Sequence, residues 1–206
     1  MAAQKRGAFS RVRECPLVPP PREREGSSPR PPTLAVCSLK ICAACGIHNS
    51  GCNESRHDGI HTFYIGKNSH VRYSEKHYGE GDGSGTRVMN PTTIVYLDEG
   101  ASIQMDTVQI RGKIVCGKGT EAVITERLLT HGKQHAESDM EIELNGEDAR
   151  GRVISRSVAQ DESKQIFHPV VVGNSKCFGH VQCDSIIMGK AKIESIPAIT
   201  ANSTDA

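Results

Sequence analysis

From Ile60 onward the chain is built of short apolar–polar alternations cut by Gly, Asn and Asp, with very little that recurs at helical spacing. Alternation with a period of two sends successive side chains to opposite faces of an extended strand, so the pattern restricts the body to β architectures. Met140, Ile142 and Leu144 give the clearest case: they share one face, Glu141 and Glu143 take the other, and Asn145-Gly146 supplies a turn. Between Ile103 and Ile110 the apolar parity slips from Met105 to Val108. A bulge, or a bend between two short strands, produces such a slip, which predicts that the chain turns a corner there.

Turn markers recur at Glu99-Gly100, Gly117-Lys118-Gly119, Asn145-Gly146, Gly173-Asn174 and Gly189-Lys190. Their spacing of roughly 16–27 residues suits either the coils of a β-solenoid or the strands of a sandwich. The absence of Trp, with four Phe and four Tyr, favours stacked Val/Ile/Leu ladders over a sandwich core anchored by aromatics.

Residues 1–36 read as a disordered tail and residues 37–206 as the folded domain. Seven of the ten prolines lie in the first thirty-two residues, mixed with Arg, Glu and Ser. Such a composition cannot bury enough apolar surface to offset the entropy of ordering it. Charge divides in the same way: eight Lys/Arg face three Asp/Glu in residues 1–40, and seventeen face twenty-one in the remainder. Nucleic acid is not expected as a partner, because the body lacks a basic stripe with interleaved aromatics. No apolar run approaches the ~18 residues of a membrane span, and the start lacks the apolar stretch of a secretion signal. The expectation is a cytoplasmic protein without membrane contact. In that compartment eight cysteines read as reduced thiols, metal ligands or reactive groups rather than a disulfide framework.

Cys37, Cys42, Cys45 and Cys52, with His48 between the last two, supply one C-x-x-C and enough soft donors for zinc or an iron–sulfur cluster. The spacing matches no standard zinc finger, whose second ligand pair His57 and His61 supply only loosely. A sulfur-carrying thiol, or inert thiols beside the tail, are the alternatives. His131 and His135, with Glu137 beyond them, would share a metal only on a helix, which Gly132 opposes; they read as a polar loop, and His168 and His180 as no stronger candidates. The run Gly79-Glu80-Gly81-Asp82-Gly83-Ser84-Gly85 lacks the Gly-Lys-Ser/Thr ending of a phosphate loop and reads as a flexible surface connection. No nucleophile elbow or Ser/His/Asp order supports hydrolase chemistry.

In the run Val181 to Met188, Cys183 shares a face with Val181, Ser185 and Ile187, opposite Gln182, Asp184, Ile186 and Met188. Both faces are partly apolar, which predicts a strand covered on both sides. On the residues alone, Cys183 is either a small buried hydrophobe or a reactive thiol. Asp184 opposes thiolate formation, so reactivity would require a metal or a nearby cation.

The stretch from about Cys42 to Ala206 resembles the SufB/SufD family, the core subunits of the SUF iron–sulfur cluster assembly machinery. The resemblance is carried by Ser55-Arg56-His57-Asp58-Gly59-Ile60-His61, Lys76-His77-Tyr78-Gly79-Glu80-Gly81, Thr130-His131-Gly132-Lys133-Gln134, Ile154-Ser155-Arg156-Ser157-Val158-Ala159 and Gln182-Cys183-Asp184-Ser185-Ile186-Ile187-Met188-Gly189. The last is the most specific. Followed by Ile196-Pro197, it is similar to the SufB strand whose cysteine is implicated in holding the nascent cluster.

The resemblance implies a right-handed parallel β-helix that acts as a scaffold rather than an enzyme. Its implied partners are a SufC-type ATPase, a SufB/SufD-type subunit or a second copy of the chain, and a cysteine desulfurase or sulfur carrier. Cys183 would handle the transient iron–sulfur cluster, and Cys45 or Cys42, ranked equally, would accept sulfur; soft thiolates suit both tasks. In the family a His-Glu-Ala segment and an ATPase-docking helical region follow, a longer connection stands at Arg111-Gly112-Lys113-Ile114, and a larger N-terminal part precedes. A fragment is therefore expected, with the groups that work beside Cys183 lying beyond Ala206 or on another subunit. The alternative is a zinc-stabilised β-solenoid interaction protein, organised by Cys37, Cys42, Cys45, Cys52 and His48, without cluster-building activity.

Overall fold

The computed structural model describes residues 38–49, 54–81 and 86–204, with residues 38–49, 55, 77–81 and 87 described by backbone alone. They belong to one compact unit, Ala35–Ala206. The proline-rich tail lies outside the described residues.

Six strands form the first sheet, in the order β1 (Ser38–Asn49), β4 (His70–Gly81), β7 (Ser102–Thr107), β9 (Glu121–Thr130), β11 (Arg150–Ala159) and β13 (Phe178–Ile187). The second sheet stacks β3 (Ile60–Ile65), β6 (Thr92–Leu97), β8 (Arg111–Cys116), β10 (His135–Leu144) and β12 (Lys164–Gly173), with β14 (Lys192–Ser195) and β15 (Ala198–Ala201) both paired to β12. A short third sheet pairs β2 (Glu54–His57) with β5 (Thr86–Met89). Neighbours in both large sheets are parallel. Parallel neighbours need a crossover, and here a strand of the opposite sheet provides it. The chain therefore winds between the sheets as a β-solenoid of about five turns, and the sandwich alternative falls.

The core lies between the sheets as in-register ladders. Met105, Ile124 and Val153 stack through β7, β9 and β11 and are fully buried, and Val181 of β13 packs against them. Ile114 and Ile142 face them from the second sheet. Each such side chain contributes roughly 1.5–3 kcal/mol by leaving water.

The turn markers are stacked. Along one side, Asn68 N–H donates to the Glu99 carbonyl at 3.0 Å, Gly100 to Lys118 at 2.9 Å, Gly119 to Glu147 at 2.8 Å and Asp148 to Lys176 at 2.8 Å. All four donors have positive φ, which Gly, Asn and Asp tolerate best. Gly189-Lys190 belongs to the other side, where Lys190 N–H reaches the Asp161 carbonyl at 2.7 Å.

The parity slip is a corner, as expected. β7 stops at Thr107, β8 starts at Arg111, and Thr107 Oγ1 holds the bend by donating to the Gln109 carbonyl at 2.9 Å. The ladder carries on through the site of the expected deletion, since Gly112 pairs with Thr93 on one side and Met140 on the other. A Cβ at Gly112 would run into the Thr93 carbonyl oxygen. The glycine-rich run divides: Gly79–Gly81 completes β4, and residues 82–85 lie outside the described residues.

Candidate functional site

Cys183 pairs in register with Ser155, Ser155 with Glu126, and Glu126 with Thr107, so four polar residues form one inward-facing column across β13, β11, β9 and β7. Three of them are buried, Glu126 to 1% exposure. A buried carboxyl needs partners. Ser155 Oγ donates to Glu126 Oε2 at 2.8 Å, and Ser138 Oγ of β10 donates to Oε1. Burial pushes the Glu126 carboxyl above its ordinary pKa, against the opposing pull of hydrogen bonds from Ser138, Ser155 and the Ile110 backbone.

A second polar layer lies beside it. Gln165 Nε2 donates to Thr130 Oγ1 at 2.8 Å, Thr130 donates to Ser163 at 2.9 Å, and the Ser157 and Ser185 hydroxyls meet at 3.1 Å. A small internal space is lined by residues of both layers, among them Glu126, Ser138, Ser155, Gln165 and Cys183.

β13 is an edge strand, not the doubly covered strand that its two partly apolar faces led us to expect. It pairs only with β11 among the described residues, so Cys183, Ser185 and Ile187 are exposed despite their inward parity. The cation that a reactive thiol needs is close by but otherwise engaged. Arg156 lies in register with Asp184 on the outer face and ion-pairs it at 3.8 Å, and Gln182 Nε2 also donates to Asp184 at 2.9 Å.

The other cysteines differ in kind. Cys116 is fully buried, and burial lifts its thiol pKa to about 12, which removes it from thiolate chemistry. Cys177 is half-buried against the core. Cys42, Cys45 and His48 lie on β1 in register with Ser74, His77 and Glu80, while Cys37 and Cys52 lie outside the described residues. Extended backbone sets the Cα atoms of Cys42 and Cys45 about 10 Å apart at positions of opposite parity, unlike the tight turn of a C-x-x-C chelate. β1 and β13 are the first and last strands of their sheet, about 24 Å apart at ~4.8 Å per strand. The structure thus does not bring Cys42 or Cys45 together with Cys183.

No group of three or more His, Cys, Asp and Glu suited to a metal occurs among the described residues. His131 sits in a turn closed by Gln134 N–H on its carbonyl at 3.1 Å, with Gly132 at φ 59, so the loop reading holds for His131, whereas His135 and Glu137 lie on β10 instead. The buried carboxyl of this column that the sequence reading missed is Glu126. Its parity within β9, shared with Ala122, Ile124 and Leu128, was the available signal for an inward carboxylate.

Residues 47–206 match the family described as SUF system FeS cluster assembly, SufBD core domain. The chain belongs to that family. A similar curated protein is the iron–sulfur cluster assembly SufBD family protein of Methanocaldococcus jannaschii, 32% identical over 145 residues that cover 66% of this chain and 45% of the relative. The chain thus spans about half the length of this relative. The region matched to this iron–sulfur cluster assembly family includes the whole polar column that ends at Cys183.

Proposed function

We propose that this SufBD chain is a scaffold subunit on which cysteine thiolates take up sulfur and hold a nascent cluster, in complex with a SufC-type ATPase. The observation that carries the reading is the exposure of Cys183 on β13, which pairs only with β11 among the described residues, at the end of a buried polar column. Cys116, buried and with its thiol pKa lifted, shows what a merely structural thiol looks like in this fold.

Cys45 or Cys42 is the entry point for sulfur. The thiolate attacks the outer sulfur of a donor persulfide, forming a new S–S bond and releasing the donor's thiolate, which leaves a persulfide on this chain. The donor is a cysteine desulfurase or its carrier. The cluster is cargo, and Cys183 supplies one ligand. The remaining ligands come from a SufB/SufD-type subunit or a second copy meeting the β13 edge, which offers unpaired backbone groups to a strand. Chemistry of this kind needs reduced thiols, so the reading places the protein in the cytoplasm.

Anaerobic incubation with ferrous iron and sulfide tests it. A visible charge-transfer band that is lost in Cys183→Ala and kept in Cys177→Ala is the expected result. A wild-type chain that stays colourless with its partner subunit present would sink the scaffold role.

A further inference from the structure

The outward face of the first sheet carries a column that folding does not explain. Arg127 and Arg156 stand in register on adjacent strands, both over 60% exposed. Like charges directly opposite each other oppose sheet formation. Each has a carboxylate nearby, Asp106 at 3.3 Å and Asp184 at 3.8 Å, but these are partly open contacts with little net strength. Asp184 extends the same column to β13, giving the order Arg127, Arg156, Asp184. Two residues along the strands runs a parallel column of Leu129, Val158 and Ile186, with Leu129 and Ile186 each 60% exposed. The two columns border a shallow concavity of ≈ 670 Å³.

We propose that this face seats an amphipathic helix of a partner protein, lying across the strands with its apolar stripe on Leu129, Val158 and Ile186. The spacing suits it: one helical turn rises 5.4 Å and adjacent strands lie ~4.8 Å apart, so residues at i, i+4 and i+7 fall over three successive rungs within about 1 Å. Charge complementarity sets the flank. The helix presents acidic side chains beside its first two anchors, over Arg127 and Arg156, and a basic one beside the third, over Asp184. The chain's own N-terminal segment does not fit, because residues 1–40 hold eight Lys/Arg against three Asp/Glu. Cys183 has the opposite parity to the two columns but also lines the concavity, so a helix seated there passes beside the thiol.

The test is fluorescence anisotropy with a labelled helical peptide of about 18 residues, five turns long. It carries leucines at one-turn spacing, glutamates beside the first two and a lysine beside the third. Saturable binding that weakens by about tenfold or more in the double variant Arg127→Glu/Arg156→Glu is expected, as is gain of binding when that variant meets the charge-reversed peptide. Leu129→Ser/Ile186→Ser, changes at exposed positions, weaken both pairings. Absence of saturable binding, or binding indifferent to the arginine changes, overturns the proposal. A wild-type far-ultraviolet circular dichroism spectrum on the arginine variant separates loss of this surface charge from loss of the fold.

Discussion

Ser155 Oγ donates to Glu126 Oε2 across 2.8 Å in the interior of the solenoid, one strand away from the Cys183 position. Glu126→Ala removes the acceptor of two serine hydroxyls and leaves a void. Two lost hydrogen bonds and a cavity together cost about 2–4 kcal/mol, measurable as a lower denaturation midpoint at unchanged slope.

The same residue sets a pH dependence. Burial raises the folded-state pKa of Glu126 above its ordinary value of 4.5. A raised carboxyl favours the fold while it is protonated, so its contribution is full below the unfolded pKa and is lost as pH rises through the folded one. Glu126→Gln removes that titration. Denaturant midpoints taken from acidic to mildly alkaline pH should fall more steeply with pH for the wild type than for the variant; parallel curves would show that Glu126 does not titrate in the fold.

The turn stack contains an asparagine ladder. Asn174 Nδ2 donates to Asn145 Oδ1 at 2.6 Å, and Asn202 Nδ2 donates to Asn174 Oδ1 at 2.8 Å. Asn174→Ala breaks both bonds, whereas Asn145→Ala or Asn202→Ala breaks one. With exposed neutral hydrogen bonds near the low end of ~0.5–1.5 kcal/mol each, the middle substitution is expected to cost about twice either flanking one by equilibrium unfolding.

Much of the fold was legible because alternation and turn chemistry are local properties. Met140, Ile142 and Leu144 faced one way on sequence and are buried in β10, and the slip at Met105–Val108 was the corner before β8. The site was less legible because it depends on order across the sheet. Nothing local to Gln182-Cys183-Asp184 reveals that, among the described residues, β13 has a strand on only one side, and the two apolar parities pointed to the opposite environment. Nor does spacing along the chain reveal that Cys42 and Cys45 lie at the far end of the sheet from Cys183. Strand stacking decides both. Glu126 lay between these cases: its parity was visible, but its serine partners come from β10 and β11.

Two glycines should respond differently to alanine. Gly119 has φ +62 and open space around a would-be Cβ, so Gly119→Ala meets only the left-handed penalty of about 1–2 kcal/mol. At Gly112 the Cβ would collide with the Thr93 carbonyl oxygen, a backbone atom held in the β6–β8 ladder. That contact cannot be relieved by a rotamer change, so Gly112→Ala should cost more than Gly119→Ala and loosen the corner at Val108–Gln109. Hydrogen exchange localised to β8 would check it.

Thiol reactivity separates the cysteines by position. Cys116 is fully buried, with its thiol pKa near 12, so near neutral pH it is almost wholly protonated and out of reach of an alkylating reagent. It should label only as fast as the solenoid opens. Cys183 is exposed at the edge of its sheet, needs no opening, and should label with a rate proportional to reagent concentration. Peptide-resolved iodoacetamide labelling distinguishes the two regimes: added denaturant accelerates Cys116 by orders of magnitude and Cys183 little. Should Cys183 instead label slowly and accelerate in step with Cys116, its strand is covered in solution and the exposed-thiol basis of the scaffold reading falls.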